Sequence, residues 1–135
     1  MIVGHGVDLV EVARLSRSLE RFGDRFLERV FTQAEREYAG SGPRRDEHLA
    51  ARFAAKEAVF KALGTGWAQG AGWTDIEVVR EDSGKPVLML HGKAAVIAAG
   101  LGVTRWHLSL THTGTMAMAS AIAEGRRTDS AGGRA

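Results

Sequence analysis

The sequence predicts an α+β fold in which a mostly antiparallel sheet packs against a long helix. Short segments with strand-like alternation are mixed irregularly with helical segments, which argues against repeated β-α-β units. One long segment, residues 46–63, carries apolar side chains at helical spacing. The 135 residues suit one domain with a single hydrophobic core, and the sequence contains no internal repeat.

The N-terminal half is predicted to hold one strand followed by three helices. The second of these elements is helical because apolar side chains recur along it every three or four residues. Thr32 and Glu35 have the spacing of a capping box, which predicts the start of a short helix, and Gly64 suits the C-terminal cap of the long helix. The predicted elements cover residues 2–10, 11–30, a short helix after 32, and 46–63.

The C-terminal half is predicted to consist mainly of strands. Residues 82–85 have the composition of a turn between two strands, and residues 105–111 alternate between apolar and polar side chains as a half-exposed strand does. The predicted strands cover 73–80, 86–91, 105–111 and 116–123, with a helix over 93–99. The domain is predicted to span 1–124, and the polar, Gly- and Arg-rich residues 125–135 are predicted to form a loose tail.

Composition excludes several classes of protein. Cysteine is absent, so disulfides and thiolate metal sites are excluded. No apolar run is long enough to cross a membrane, and the first residues lack the basic region and apolar block of a secretory signal. The net charge is only +2, which is weak support for nucleic-acid binding. We therefore expect a cytoplasmic protein with neither a membrane nor a nucleic acid as its partner.

Glu57 lies on the same stripe of the long helix as the apolar side chains around it. Those side chains are Leu49, Phe53, Phe60 and Leu63. A carboxylate that faces a core must be protonated, paired or bound to a cation. Together with Asp8 it offers the hard oxygen ligands that suit Mg²⁺. An exposed pair between Glu57 and Lys61, one helical turn apart, is an equally weighted alternative.

Two further patterns have both a structural and a functional interpretation. The segment Gly64-Thr65-Gly66 can present backbone N–H groups to a phosphate, but it lacks the P-loop arrangement and is more simply a helix cap and turn. His107 and His112 are five residues apart on one predicted strand, so they point to opposite faces and do not bind one metal together. His112, beside Thr113 at the end of the strand, is the better candidate for ligand contact.

A basic stripe runs along the first predicted helix beside its apolar face. The stripe consists of Arg14, Arg17, Arg21 and Arg25. Acidic residues on the same helix partly neutralise it. The stripe is therefore either a solvated face or a dock for an acidic partner.

Three motifs resemble, in order and spacing, those of the holo-acyl-carrier-protein synthases, the small bacterial-type 4′-phosphopantetheinyl transferases. The motifs are Gly6-Val7-Asp8, the segment 53–61, and the segment 107–112. The resemblance covers residues 1–124. It implies the fold of that family and a homotrimer with sites between subunits. It also implies transfer of 4′-phosphopantetheine from coenzyme A to a serine of apo acyl carrier protein, with release of 3′,5′-ADP, for fatty acid or polyketide biosynthesis.

The resemblance also implies roles for particular residues. Asp8 and Glu57 would hold Mg²⁺ against the coenzyme A pyrophosphate, Lys61 would complete the catalytic set by neutralising phosphate charge, and the basic stripe would meet the acidic carrier. The residues expected to contact coenzyme A are Arg52, Lys56, Lys61, Gly64, Thr65, Gly66, Gly84, Lys85, Pro86, His107, His112 and Thr113. The acceptor of the serine proton stays open between Glu57, a metal-bound water and a nearby side chain.

Two other functions stay open at this point. A non-catalytic module that binds coenzyme A or a nucleotide and docks an acidic protein would use the basic stripe and the glycine loop without a metal. A Mg²⁺-dependent pyrophosphohydrolase acting on nucleotides would use the same two carboxylates. Loss of turnover in Glu57→Gln distinguishes a transferase from a binder, and carrier-dependent release of 3′,5′-ADP distinguishes it from a hydrolase.

Overall fold

The computed structural model describes residues 1–64 and 70–126, within which the chain forms five strands and five helices. In chain order these are β1 (Ile2–Glu11), α1 (Val12–Phe22), α2 (Asp24–Val30), α3 (Gln33–Ala39), α4 (Arg45–Leu63), β2 (Ile76–Arg80), β3 (Pro86–Leu90), α5 (Gly92–Gly100), β4 (Val103–His112) and β5 (Met116–Gly125). Strands β1, β5 and β4 form one sheet in that order, and β2 pairs with β3. Every pairing is antiparallel, which confirms the predicted fold class. None of the described helices has the length and apolar character needed to span a membrane.

Two predicted elements differ from the observed ones. The predicted helix over 11–30 is two helices, because the chain turns at Gly23, whose φ is 61°. The apolar spacing continues across this break, so periodicity alone does not reveal it. The predicted strand over 73–80 starts as a 3-10 turn, Trp73–Asp75, in which the Asp75 carboxylate accepts the Gly72 N–H at 3.1 Å. The predicted capping box at Thr32 is confirmed.

Helix α4 packs very closely against the three-stranded sheet, because small residues face each other across the contact. A Cβ added to Gly6 of β1 would lie 1.8 Å from the carbonyl oxygen of Ala58, and one added to Gly4 would lie 2.2 Å from that of Ala62. On β5 the residues facing the helix are buried alanines, namely Ala117, Ala119, Ala121 and Ala123. The backbone of α4 therefore lies directly on β1, and this contact fixes the position of Asp8 relative to Glu57.

The outer face of the three-stranded sheet, turned away from α4, carries exposed apolar side chains. Leu9 of β1 is 61% exposed and lies opposite Met118 of β5, which is 41% exposed. Val7, two residues before Leu9, is also exposed on this face. These three side chains form an exposed apolar patch on the outer face of the sheet.

Candidate functional site

A groove of about 580 Å³ lies between β1, the first two helices and α4. Asp8 lines it from β1, and Glu57 and Lys61 line it from α4. Arg14, Leu15 and Ser18 of α1, Phe26 of α2 and Phe53 of α4 also line it. The fold thus brings together the three residues that the sequence predicts to be catalytic.

Lys61 pairs with Asp8 and not with Glu57. Its Nζ donates to Asp8 Oδ1 at 3.1 Å and to the carbonyl oxygen of Val7 at 3.0 Å. The Lys61 side chain is 53% exposed, so its ammonium can turn toward a ligand in the groove. The carboxylate of Glu57 makes no hydrogen bond or ion pair with any residue that the structure describes. The alternative of an exposed Glu57–Lys61 pair is therefore not what is observed.

Glu57 is a half-buried carboxylate beside a second negative charge. Burial raises the pKa of the Glu57 carboxyl above its ordinary value, and the charge of Asp8 raises it further, whereas Lys61 acts in the opposite direction. Two carboxylates that repel each other in this way attract a cation, because a cation between them removes both the repulsion and the desolvation penalty. The donor set therefore fits a divalent metal ion.

The small number of carboxylate ligands also limits which metal ion the groove can bind. Across residues 1–64 and 70–126, no group of three or more His, Cys, Asp or Glu side chains converges on one point. Glu11 also lines the groove, but within these described residues it does not join Asp8 and Glu57 in a group that could hold one ion. Mg²⁺ is bound by few carboxylates, because it keeps several waters and takes other oxygen ligands from substrate phosphates.

Lys56 lies in the core, on a different face of α4 from its neighbour Glu57. Its ammonium pairs with Glu35 at 2.8 Å, and both side chains are completely buried. It also donates to the carbonyl oxygens of Trp73, at 3.1 Å, and Ile76. Burial lowers the pKa of Lys56, and the Glu35 charge opposes that effect. All three ammonium protons are used inside the protomer, so Lys56, which the resemblance implies as a coenzyme A contact, does not line the groove.

A second group of polar side chains surrounds Tyr38 of α3. We call it the Tyr38 cluster, and it consists of Tyr38, His48, Arg52, Arg80 and His112. The guanidinium carbons of Arg52 and Arg80 lie 4.1 and 4.8 Å from the centre of the Tyr38 ring. The His48 ring contacts Tyr38 edge to face at 5.3 Å and His112 at 5.6 Å. Two guanidinium groups and one imidazole thus meet around one phenol ring, and His112 joins them through its contact with His48.

The Tyr38 cluster joins several residues that the sequence predicts to contact coenzyme A. Arg52 and His112 belong to it, and Thr113 follows His112 directly. Gly84 is connected to it because Arg80 Nη1 donates to the Gly84 carbonyl oxygen at 2.6 Å. Sequence reasoning missed Tyr38, His48 and Arg80. Tyr38 and Arg80 belong to no motif, and His48 precedes the segment 53–61 that carries the resemblance.

The remaining predicted residues lie in other places. Lys85, Pro86 and His107 line a separate groove of about 290 Å³ at the edges of β3 and β4. His107 and His112 point to opposite faces of β4, as predicted, since His107 lies 2.7 Å from Glu124 on the outer side. Gly64 adopts the left-handed conformation of a helix C-cap, with φ of 78°. Thr65 and Gly66, and the predicted tail beyond residue 126, lie outside the described residues.

Three of the four arginines of the basic stripe lie on the solvent-facing side of α1, and the fourth, Arg25, lies beyond Gly23 on α2. Arg14, Arg17 and Arg21 are all exposed on α1. Arg14 also lines the groove that contains Asp8 and Glu57. An acidic partner that binds to the stripe would therefore contact the rim of the groove.

Comparison with known proteins assigns this arrangement to a family. Residues 4–116 match the model of the 4′-phosphopantetheinyl transferase superfamily. The chain is 54% identical to the holo-[acyl-carrier-protein] synthase of Koribacter versatilis, over 92% of this chain and 99% of that protein. It resembles the crystal structure of the Neisseria meningitidis holo-[acyl-carrier-protein] synthase with a TM-score of 0.84 and 31% identity, covering 92% and 99% of the two chains. It also resembles the Bacillus anthracis enzyme in complex with CoA (3′,5′-ADP), with a TM-score of 0.76 and 38% identity over 93% and 99%.

Proposed function

This chain belongs to the 4′-phosphopantetheinyl transferase superfamily, and on that premise we propose that it is a holo-acyl-carrier-protein synthase. It transfers the 4′-phosphopantetheine group of coenzyme A to a serine hydroxyl of apo acyl carrier protein and releases 3′,5′-ADP. The observation that carries this function is the convergence of Asp8, Glu57 and Lys61 in one groove. Phosphoryl transfer needs positioned charge around the pyrophosphate more than covalent chemistry, and this groove supplies it.

The two carboxylates hold Mg²⁺ in this proposal. Asp8 and Glu57 would be its protein ligands, and the ion, when bound, neutralises the charge that develops on the pyrophosphate. Lys61 would contribute a positive charge to the pyrophosphate oxygens, since its ammonium lies against Asp8 and its side chain is half exposed. The apolar wall formed by Leu15, Phe26 and Phe53 limits the access of water to the reacting phosphate.

The Tyr38 cluster supports the binding of a second anionic group of coenzyme A. Arg52 is 2% exposed, and its Nε has no hydrogen-bond partner among the residues that the structure describes. A buried N–H without a partner is costly and is satisfied when a phosphate oxygen approaches. His112, whose ring contacts His48, and Thr113, which follows it in the chain, are the further donors that we assign to this group. Gly84 is connected to the cluster by its hydrogen bond with Arg80. We assign Lys85, Pro86 and His107 as more distant contacts of coenzyme A.

The transferase activity is tested by incubating the protein with apo acyl carrier protein, coenzyme A and Mg²⁺. The carrier should gain the mass of one phosphopantetheine group, and it should not do so when Mg²⁺ is chelated. Release of 3′,5′-ADP should require the carrier, which separates transfer from hydrolysis. Absence of a mass gain on every apo carrier of the same organism, whether for fatty acid or polyketide synthesis, would count against the proposal.

We further propose that the protein is a homotrimer with its sites between subunits. The exposed apolar face of the three-stranded sheet supports self-association, because Leu9 and Met118 are otherwise left in water. Met118→Lys is expected to shift the protein to a smaller species, since burying an unpaired ammonium in an interface is strongly unfavourable. Light scattering coupled to gel filtration measures this. Val96→Lys replaces a side chain that is 64% exposed on α5 and serves as the matched control.

We propose that the carrier docks on the basic stripe of α1. Carrier proteins present acidic surfaces, and opposite charges across an interface steer and orient association. The double substitution Arg17→Glu/Arg21→Glu is expected to raise the KM for the carrier about tenfold, equivalent to about 1.4 kcal/mol, with little change in the KM for coenzyme A. The defect should shrink as salt screens the charges. Lys93→Glu, on exposed α5, is the control, and a wild-type KM that does not depend on salt would contradict this docking role.

A further inference from the structure

The Tyr38 cluster concentrates positive charge that no neighbouring carboxylate fully offsets. Arg52 and Arg80 both lie against the same ring. Glu35, the buried carboxylate of α3, is already paired with Lys56. The other carboxylate of the cluster is that of Glu47, whose Oε1 lies 3.2 Å from Nδ1 of His112. Burial lowers the pKa of the Arg52 guanidinium, and the charge of Arg80 adds to that effect.

His48 is the protonatable group at the centre of this charge. Its ring lies between those of Tyr38 and His112 and makes edge-to-face contacts with both. Burial lowers the pKa of His48, and the charges of Arg52, His112 and Arg80 lower it further, whereas Glu47 acts in the opposite direction. The groups of its own helix, of α3, of β2 and of β4 together therefore favour the neutral form of the ring when nothing is bound.

An anion at the cluster reverses this balance. A phosphate group brought next to Arg52 and His112 places negative charge close to the His48 ring, and a nearby opposite charge favours the charged form of a histidine. We propose that His48 takes up a proton from solvent when an anionic group of coenzyme A binds at the Tyr38 cluster. This inference rests on the proposed function, because it takes coenzyme A as the ligand.

Proton uptake on binding makes the affinity for coenzyme A depend on pH in a definite direction. The bound state holds more protons than the free state, so coenzyme A affinity increases as the pH falls. The increase ends once the pH is low enough to protonate His48 in the free protein. The pKa of His48 in the free protein lies below the ordinary histidine value of 6.5. Since about one proton is involved, affinity changes by less than about tenfold per pH unit.

The test is isothermal titration of coenzyme A into the full-length protein near neutral pH, in buffers of different ionisation enthalpy. The dependence of the measured heat on the buffer gives the number of protons taken up. Wild type should take up a larger fraction of a proton than His48→Phe, in which the new ring keeps the contacts with Tyr38 and His112. Ionisation of the ligand phosphate is the same in both titrations and cancels in the difference. His48→Gln provides a second neutral replacement.

Each result decides the inference. Equal proton uptake in wild type and both His48 variants, with coenzyme A binding intact, would overturn it. Loss of the uptake in His112→Asn but not in His48→Phe would overturn it too, because the proton would then belong to His112. No binding of coenzyme A to wild type would overturn the proposed function and the inference with it. A direct readout is the NMR titration of the five histidines, in which the resonance missing from His48→Phe should titrate at higher pH with coenzyme A present.

Discussion

Replacement of Glu57 by Gln is expected to reduce phosphopantetheine transfer about 100-fold or more while the protein stays folded. The amide keeps the size of the side chain but removes the negative charge that the proposed Mg²⁺ needs, and even substitutions of groups that only support metal ligands cost about 10–100-fold. The concentration of Mg²⁺ required for residual activity should rise as well. Steady-state rates at several Mg²⁺ concentrations measure both effects.

The same substitution should leave thermal stability unchanged or raise it. The fold raises the pKa of Glu57, so the ionised carboxylate is less favourable in the folded chain than in the unfolded one. The resulting loss of stability is absent at pH below the ordinary glutamate value and present at neutral pH, where Gln removes it. Glu37→Gln, on the exposed side of α3, is the control for both measurements. Full activity in Glu57→Gln, or a collapse of its melting temperature, would contradict the assigned role.

Removal of Lys56 is expected to have the largest effect on stability. Lys56→Met leaves the Glu35 carboxylate buried without its counter-charge, which typically costs about 3–5 kcal/mol. Glu35 also accepts the backbone N–H groups of Val78 and Thr32, at 2.8 and 2.9 Å, so it cannot turn away to water. Urea unfolding measures the loss. Lys93→Met, on the exposed surface of α5, should change stability by less than about 0.5 kcal/mol.

A double-mutant cycle distinguishes the lost pair from lost packing. Glu35→Gln/Lys56→Met removes both charges, so it should be less destabilised than the sum of the two single variants, by about 0.5–3 kcal/mol. Additive losses would show that the two side chains contribute independently. Such a result would contradict the view that Lys56 serves to join α4 to α3 and β2.

Two residues of the groove were predictable from the sequence. Glu57 interrupts an apolar stripe, and Asp8 is a carboxylate near the end of the first strand. The partner of Lys61 was not predictable in the same way. Helical spacing points to Glu57, whereas the observed partner, Asp8, is 53 residues away and meets Lys61 only through the packing of α4 on β1.

The partners of Lys56 and Arg80 could not be predicted from sequence spacing. Lys56 sits beside Glu57 in the sequence, which suggests a shared site, but adjacent residues of a helix point in different directions. Its partner Glu35 is recognisable in the sequence only as part of a capping box, a role it also fulfils. In the sequence, Arg80 is predicted only to be the polar last residue of a strand. Its place against Tyr38 depends on how the hairpin of β2 and β3 packs on α3, which no local spacing encodes.

The direct backbone contact at Gly4 and Gly6 has a consequence for engineering this enzyme. Because Gly4 and Gly6 place no side chain between β1 and α4, no side chain at these two positions can be trimmed or extended to change the gap between Asp8 and Glu57. Variation at Phe26 or Phe53 can reshape the groove, since these side chains form part of its wall. A library meant to alter substrate range should therefore diversify the wall and leave the four contact positions 4, 6, 58 and 62 untouched.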